Sequence, residues 1–123
     1  MTVQIAHLYA TGCLAIVFFQ IALIAGVPLG RYTQGGRHPG ALPVTGRIIA
    51  AVSIPVLLFQ ALAMLSAAGF PGLGWPRWTG WVALAVQGVT AALNLITPSK
   101  PERAVWGPVT VVMAAMALVV MTG

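Results

Sequence analysis

The sequence predicts an all-α fold, a bundle of four transmembrane helices, and three observations lead there. Hydrophobic residues make up 59% of the 123 residues and charged residues only 6%, against about 25% charged in soluble domains, so most of this surface cannot face water. The charges are also gathered into a few places. With His7 neutral, residues 1–30, 48–76, 78–99 and 104–123 carry no charge, and each window reaches the roughly 20 residues that a helix needs to cross the hydrocarbon. Finally, Gly and Pro crowd the segments between the windows, where they favour turns over helix. The length suits one domain, so the whole of 1–123 is read as a single four-helix unit.

The first helix is predicted over 5–27, loosened at its end by Gly26, Pro28 and Gly30. A turn-rich loop 1 follows over 31–43. The second helix covers 45–68 with Pro55 inside it. That proline removes one backbone hydrogen bond and is expected to kink the helix, which neighbouring helices can cover. After a short loop 2, the third helix spans 78–96 and is the least apolar, carrying Gln87, Thr90 and Asn94. Loop 3 occupies 97–103 and the fourth helix 104–121. A cleavable secretory signal is not expected, because no basic residue precedes the first apolar run and that run is too long for a signal core.

Charge sets an expected orientation. Arg31, Arg37, Arg47, Lys100 and Arg103 lie in or beside loops 1 and 3, whereas loop 2 has only Arg77. The positive-inside rule places loops 1 and 3 in the cytoplasm and both termini outside. Tyr9, Trp75, Trp78 and Trp81 would then mark the outer interface, and Tyr32 and Trp106 the inner one. The formal charge of +5 points to anionic lipid headgroups as the partner, and not to nucleic acid, because the basic residues sit at helix ends.

Few residues are candidates for function. Counted from the loop 1 and loop 3 ends of their helices, Gln20, Gln60 and Gln87 lie roughly 12, 22 and 15 Å deep, in the middle zone of the bilayer. An uncovered amide there is costly, so all three are expected to face inward. They serve either as interhelical hydrogen-bonding glue or as a polar binding point for a small solute or ion. Gln87, Thr90 and Asn94 form a polar stripe at helical spacing, either packed against another helix or forming a cavity wall. A basic patch of Arg31, Arg37, His38, Arg47, Lys100 and Arg103 is expected at the loop 1 and loop 3 end, holding lipid or a partner. Within it, residues 35–40 could present backbone N–H groups beside a guanidinium, an arrangement suited to phosphate. Glu102, the sole side-chain carboxylate, is expected in an exposed charge pair with flanking Lys100 and Arg103 or with an arginine of loop 1. Ala22, Gly26 and Gly30 form a small-xxx-small series that would let another helix approach. Met113, Met116 and Met121 are expected against lipid or as gap fillers. The single cysteine, Cys13, excludes an internal disulfide. No paired acid, nucleophile beside a base, or metal-ligand cluster is visible, so neither catalysis nor a cofactor is expected.

The loops carry a resemblance. Gly26, Pro28 and Gly30 lead through Gly35 and Gly36 to Leu42 and Pro43. Later, NLITPSKPER over 94–103 precedes Trp106, Gly107 and Pro108. Together these resemble a family of small bacterial four-helix inner-membrane proteins. The resemblance implies an inner-membrane location and no particular activity. Other families of this size fit poorly. Small multidrug transporters rely on a glutamate in their first helix, which is absent here. Fluoride channels that insert in both orientations have balanced loop charge. Quinone-linked thiol oxidoreductases need a cysteine pair, and a haem would want histidines at matched depth, whereas His7 and His38 lie at opposite ends. The expectation is a non-catalytic accessory or structural subunit with a membrane-protein partner or further copies of itself. The alternative is a small oligomeric transporter or channel. What separates them is whether the glutamines face a hydrated cavity or each other.

Overall fold

The computed structural model describes residues 1–123 and consists of four long helices without strands. They are α1 Thr2–Ile24, α2 Val44–Ala67, α3 Arg77–Ile96 and α4 Lys100–Thr122. All four are long and apolar enough to cross a membrane, and large apolar side chains such as Phe18, Val89 and Val112 stay exposed on their outer faces. In water such faces would drive aggregation, whereas lipid is their natural solvent. The chain is an integral membrane protein.

The helix ends follow from local chemistry. α1 stops at Ile24, three residues before the predicted end, because Gly26 takes φ +95°. Its N–H donates to the Leu23 carbonyl at 3.2 Å and that of Val27 to the Ala22 carbonyl at 3.0 Å, the paired bonds of a Schellman cap. Gly26 and Gly30 therefore lie beyond the helix, and no small-xxx-small face is formed. α2 ends on the same motif at Gly69, with φ +90°, and it runs on through Pro55. The largest departure is α4, which begins at Lys100 and not at 104. Ser99 is its N-cap, accepting from the Glu102 N–H at 3.3 Å, and Pro101 sits in the first turn, where a missing N–H costs nothing. Loop 1 contains two single 3₁₀ turns, Gly30–Tyr32 and Gln34–Gly36. A Cβ at Gly30 would run into the His38 carbonyl, so only glycine fits that fold of the loop.

The helices pack most extensively as two sequential pairs, α1 with α2 and α3 with α4. Toward the termini and loop 2 the pairs close on a core of twelve buried residues, six of them alanine: Ala6, Ala10, Ala61, Ala63, Ala83 and Ala117. In lipid, where helices gain no hydrophobic drive to associate, such small residues let backbones approach and dispersion act. Methionines fill what remains. Met113 packs on Gly12, and Met121 lies so near Gly80 that a Cβ there would stand 2.5 Å from its sulfur. At this end Arg77 donates to the Met121 carbonyl at 2.6 Å, tying the start of α3 to the end of α4. The opposite end carries loops 1 and 3, and there the pairs stand apart.

Candidate functional site

The gap between the pairs is a cavity of about 790 Å³. α2 and α3 form its side walls, α1 and α4 its back, and residues 32–35 of loop 1 close one end. Ile48, Ile49 and Val52 of α2 and Leu93 and Ile96 of α3 line it and are more than half exposed, apart from Ile49 at 50%. The mouth therefore opens sideways between α2 and α3, toward the acyl chains.

The inner end is a directional network of side chains. Gln60 Nε2 donates to Tyr9 Oη at 3.1 Å and to Gln87 Oε1 at 3.2 Å. Tyr9 Oη donates to the same Gln87 Oε1 at 2.9 Å. Gln87 Nε2 in turn donates to the Thr110 carbonyl at 3.1 Å. One network thus joins all four helices; Tyr9 belongs to the core as well, and none of the eleven other core residues lines the cavity. The arrangement consumes every donor of Gln60 and leaves its Oε1 without a protein partner. Gln60 is only 3% exposed, yet no fully enclosed polar atom lacks a partner, so this oxygen opens into the cavity that Gln60 lines.

The sequence-predicted residues divide accordingly. Gln60 and Gln87 meet directly and also face the cavity. Gln20 is half-buried on the cavity wall away from that network. Thr90 and Asn94 also line the wall; the Thr90 hydroxyl donates to the Val86 carbonyl at 2.8 Å and Asn94 Nδ2 to the Thr90 carbonyl at 2.9 Å. Tyr9 is not an interfacial anchor: it is fully buried and completes the network. Tyr32 and Trp106, expected at the inner interface, both contribute to the cavity wall, where Trp106 meets Phe19 edge to face with centroids 4.9 Å apart.

Glu102 departs furthest from expectation. It is 8% exposed and forms no exposed charge pair. Placed in the first turn of α4, it points into the bundle, and its Oε1 accepts from the Thr97 hydroxyl and from the Gly35 N–H at 3.3 Å. Loop 1 thus meets Glu102 through a backbone amide and not through an arginine. Oε2 accepts from no protein group and is not fully enclosed, and Glu102 is one of the residues that line the cavity. A second tie, from Ser99 Oγ to the Arg31 carbonyl, holds loop 1 against loop 3.

The basic residues stand elsewhere. Arg31, Arg37, His38, Lys100 and Arg103 are exposed at the loop 1 and loop 3 end. Arg47 is half-buried and fastens loop 1, donating from Nε to the Leu42 carbonyl at 2.9 Å. The N–H groups of Gly35 and Gly36 are already engaged, by Glu102 and by the Thr33 carbonyl, so the phosphate-suited arrangement of that loop is not formed. Not one of the six basic side chains lines the cavity. No cluster of His, Cys, Asp or Glu that could hold a metal is present.

Comparison with protein-family models, with curated proteins and with solved structures finds no match.

Proposed function

We propose that this chain is a non-catalytic accessory protein of the membrane whose task is to hold a small amphipathic molecule in the cavity between its helix pairs. One observation carries the reading: a cavity of about 790 Å³ ends on the free oxygen of a deeply buried glutamine. The volume falls in the range of about 300–1,000 Å³ typical of small-molecule sites, and apolar walls with a few placed polar groups are their usual composition. The bond between Gln60 and Gln87 would serve as structural glue, but glue has no use for the open acceptor beside it. The test is native mass spectrometry of the protein released from its own membranes. A one-to-one small-molecule adduct is expected on the wild type and its loss in Ser53→Trp, which fills the cavity from α2. Equal adducts on both proteins would contradict the reading.

A carrier that moves the molecule across the bilayer is the second reading. It is favoured by the division of the helices into two sequential pairs with the cavity between them, a geometry in which one pair can rock against the other. Either way the orientation we propose puts loops 1 and 3 in the cytoplasm of a bacterial inner membrane, where the exposed Arg31, Arg37, Lys100 and Arg103 meet anionic headgroups. Reporter fusions at Gly123 and in loop 2 should both read outside. A cytoplasmic C-terminus would reverse that orientation.

A further inference from the structure

We infer that the cavity selects an organic cation: an ammonium group on a compact apolar body, with Glu102 as its counter-charge. The inference rests on the binding reading above and names the ligand's chemistry.

The charge distribution is the starting point. The chain has six basic side chains and a single acidic one, yet the acid lines the cavity and none of the bases does. Random placement would give the reverse. Glu102 is 8% exposed, and its partners are the Thr97 hydroxyl and the Gly35 N–H, neither of them a cation. Its neighbour in sequence, Arg103, turns instead to the Thr97 carbonyl at 2.8 Å. A buried carboxylate without a counter-ion is costly unless something supplies the charge or further hydrogen bonds. The free Oε2 belongs to a residue that lines the cavity, the place from which that supply would come.

The rest of the cavity fits the same ligand. Its second open group, Gln60 Oε1, is also an acceptor, so both deeply buried free oxygens call for donors. Phe19 and Trp106 line the cavity, and aromatic faces attract cations where anions gain nothing; the Tyr32 ring, also in the lining, already lies 5.8 Å from the Arg31 guanidinium. Glu102, Trp106 and Thr110 follow one another at one-turn steps along α4. The carboxylate and the glutamine network are thus about 12 Å apart along the axis, room for an apolar body between an ammonium and a second polar group. The sideways mouth with its apolar rim admits a molecule already dissolved in the bilayer.

The test uses the full chain in nanodiscs of zwitterionic lipid and three probes of one shape: 2-phenylethylammonium, the neutral 2-phenylethanol and the anionic 3-phenylpropanoate. Wild-type protein should bind the ammonium at least about ten-fold more tightly than the alcohol, the factor expected of one charge-assisted hydrogen bond, and the anion least. Glu102→Gln should bring ammonium and alcohol within about two-fold of each other. Because Glu102 also fastens loop 1, Thr97→Ala serves as the control: it removes a bond to the carboxylate but keeps the charge, and the ammonium preference should persist. Ammonium and alcohol bound equally by the wild type, with both lost in Ser53→Trp, would overturn the cation inference and leave the cavity reading standing. Binding of either probe unaffected by Ser53→Trp would overturn both. A lipid amine offers the same chemistry as a free one. Displacement of the probe by phosphatidylethanolamine in the nanodisc would assign the site to a headgroup, and indifference to it would assign it to a free amine.

Discussion

The two ends of this bundle are built by opposite rules. Around Cys13 and toward the termini, alanines and glycines bring the helices together and methionine tips fill the remaining gaps. Between loop 1 and the glutamine network the same helices carry larger side chains on facing surfaces, and the two pairs stand far enough apart to leave a cavity. What separates these regions is a single layer: Tyr9, Gln60, Gln87 and the Thr110 carbonyl. A membrane bundle gains nothing from hiding apolar surface from lipid, so its stability comes from close contact and satisfied polar groups. The closed end has the contact and the layer has the polar bonds that join the two pairs; at the open end the hydrogen bonds tie loops 1 and 3 to each other and to the helix ends, which leaves the space between α2 and α3 free to take a ligand.

That contrast can be broken most forcefully from the closed side. Gly80→Leu would drive a side chain into Met121, whose sulfur already stands 2.5 Å from a Cβ at that position. It is expected to destabilise the fold by about 2–3 kcal/mol in unfolding from mixed micelles. Gly88→Leu on the same helix has open space and should change stability by less than about 0.5 kcal/mol. Equal effects would mean that the end near the termini is not close-packed.

The dividing layer comes next. Gln87→Leu removes the acceptor of the Tyr9 hydroxyl and of one Gln60 Nε2 hydrogen and should cost about 1–2 kcal/mol. Gln20→Leu removes an amide that bonds to nothing in the layer and should cost less than about 0.5 kcal/mol. The three glutamines look alike in the sequence, and this pair of variants separates glue from wall. Smaller than the Gln87→Leu effect is that of Gly26→Ala, where φ +95° penalises an L side chain by about 1 kcal/mol. That loss should be accompanied by a loosened loop 1, read as faster backbone hydrogen exchange at Gly30 and Arg31.

The sequence disclosed the closed parts of the molecule better than the open one. Four charge-free windows announced four helices because a membrane span must be long and apolar. Gln60 and Gln87 were legible as inward-facing because an uncovered amide in lipid is costly. A first helix starting at 5 puts Tyr9 only about one turn in, at the interface. With α1 beginning at Thr2, it lies about two turns inside and is available as the third member of the network. For Glu102 the sequence holds a signal that α4 starts before 104: Ser99 followed three residues later by Glu is the pattern of a capping box. Half of that box forms, the Ser99 hydroxyl accepting from the Glu102 N–H, while the carboxylate turns inward to Thr97 and Gly35. The cavity had no sequence signature. It depends on the distance between α2 and α3, which is set by the packing of all four helices and the wedge of loop 1, and a one-dimensional pattern does not encode such a distance.

The most direct measurement uses the chain's own thiol. Cys13 is fully buried in the closed end, whereas Ser53 is half-buried on the cavity wall. In folded protein treated with the small neutral reagent methyl methanethiosulfonate, Ser53→Cys in a Cys13→Ala background should label readily, while wild-type Cys13 stays unmodified until the protein is unfolded. Labelling of Cys13 as fast as that of the thiol introduced on the cavity wall would contradict a bundle closed at one end and open at the other.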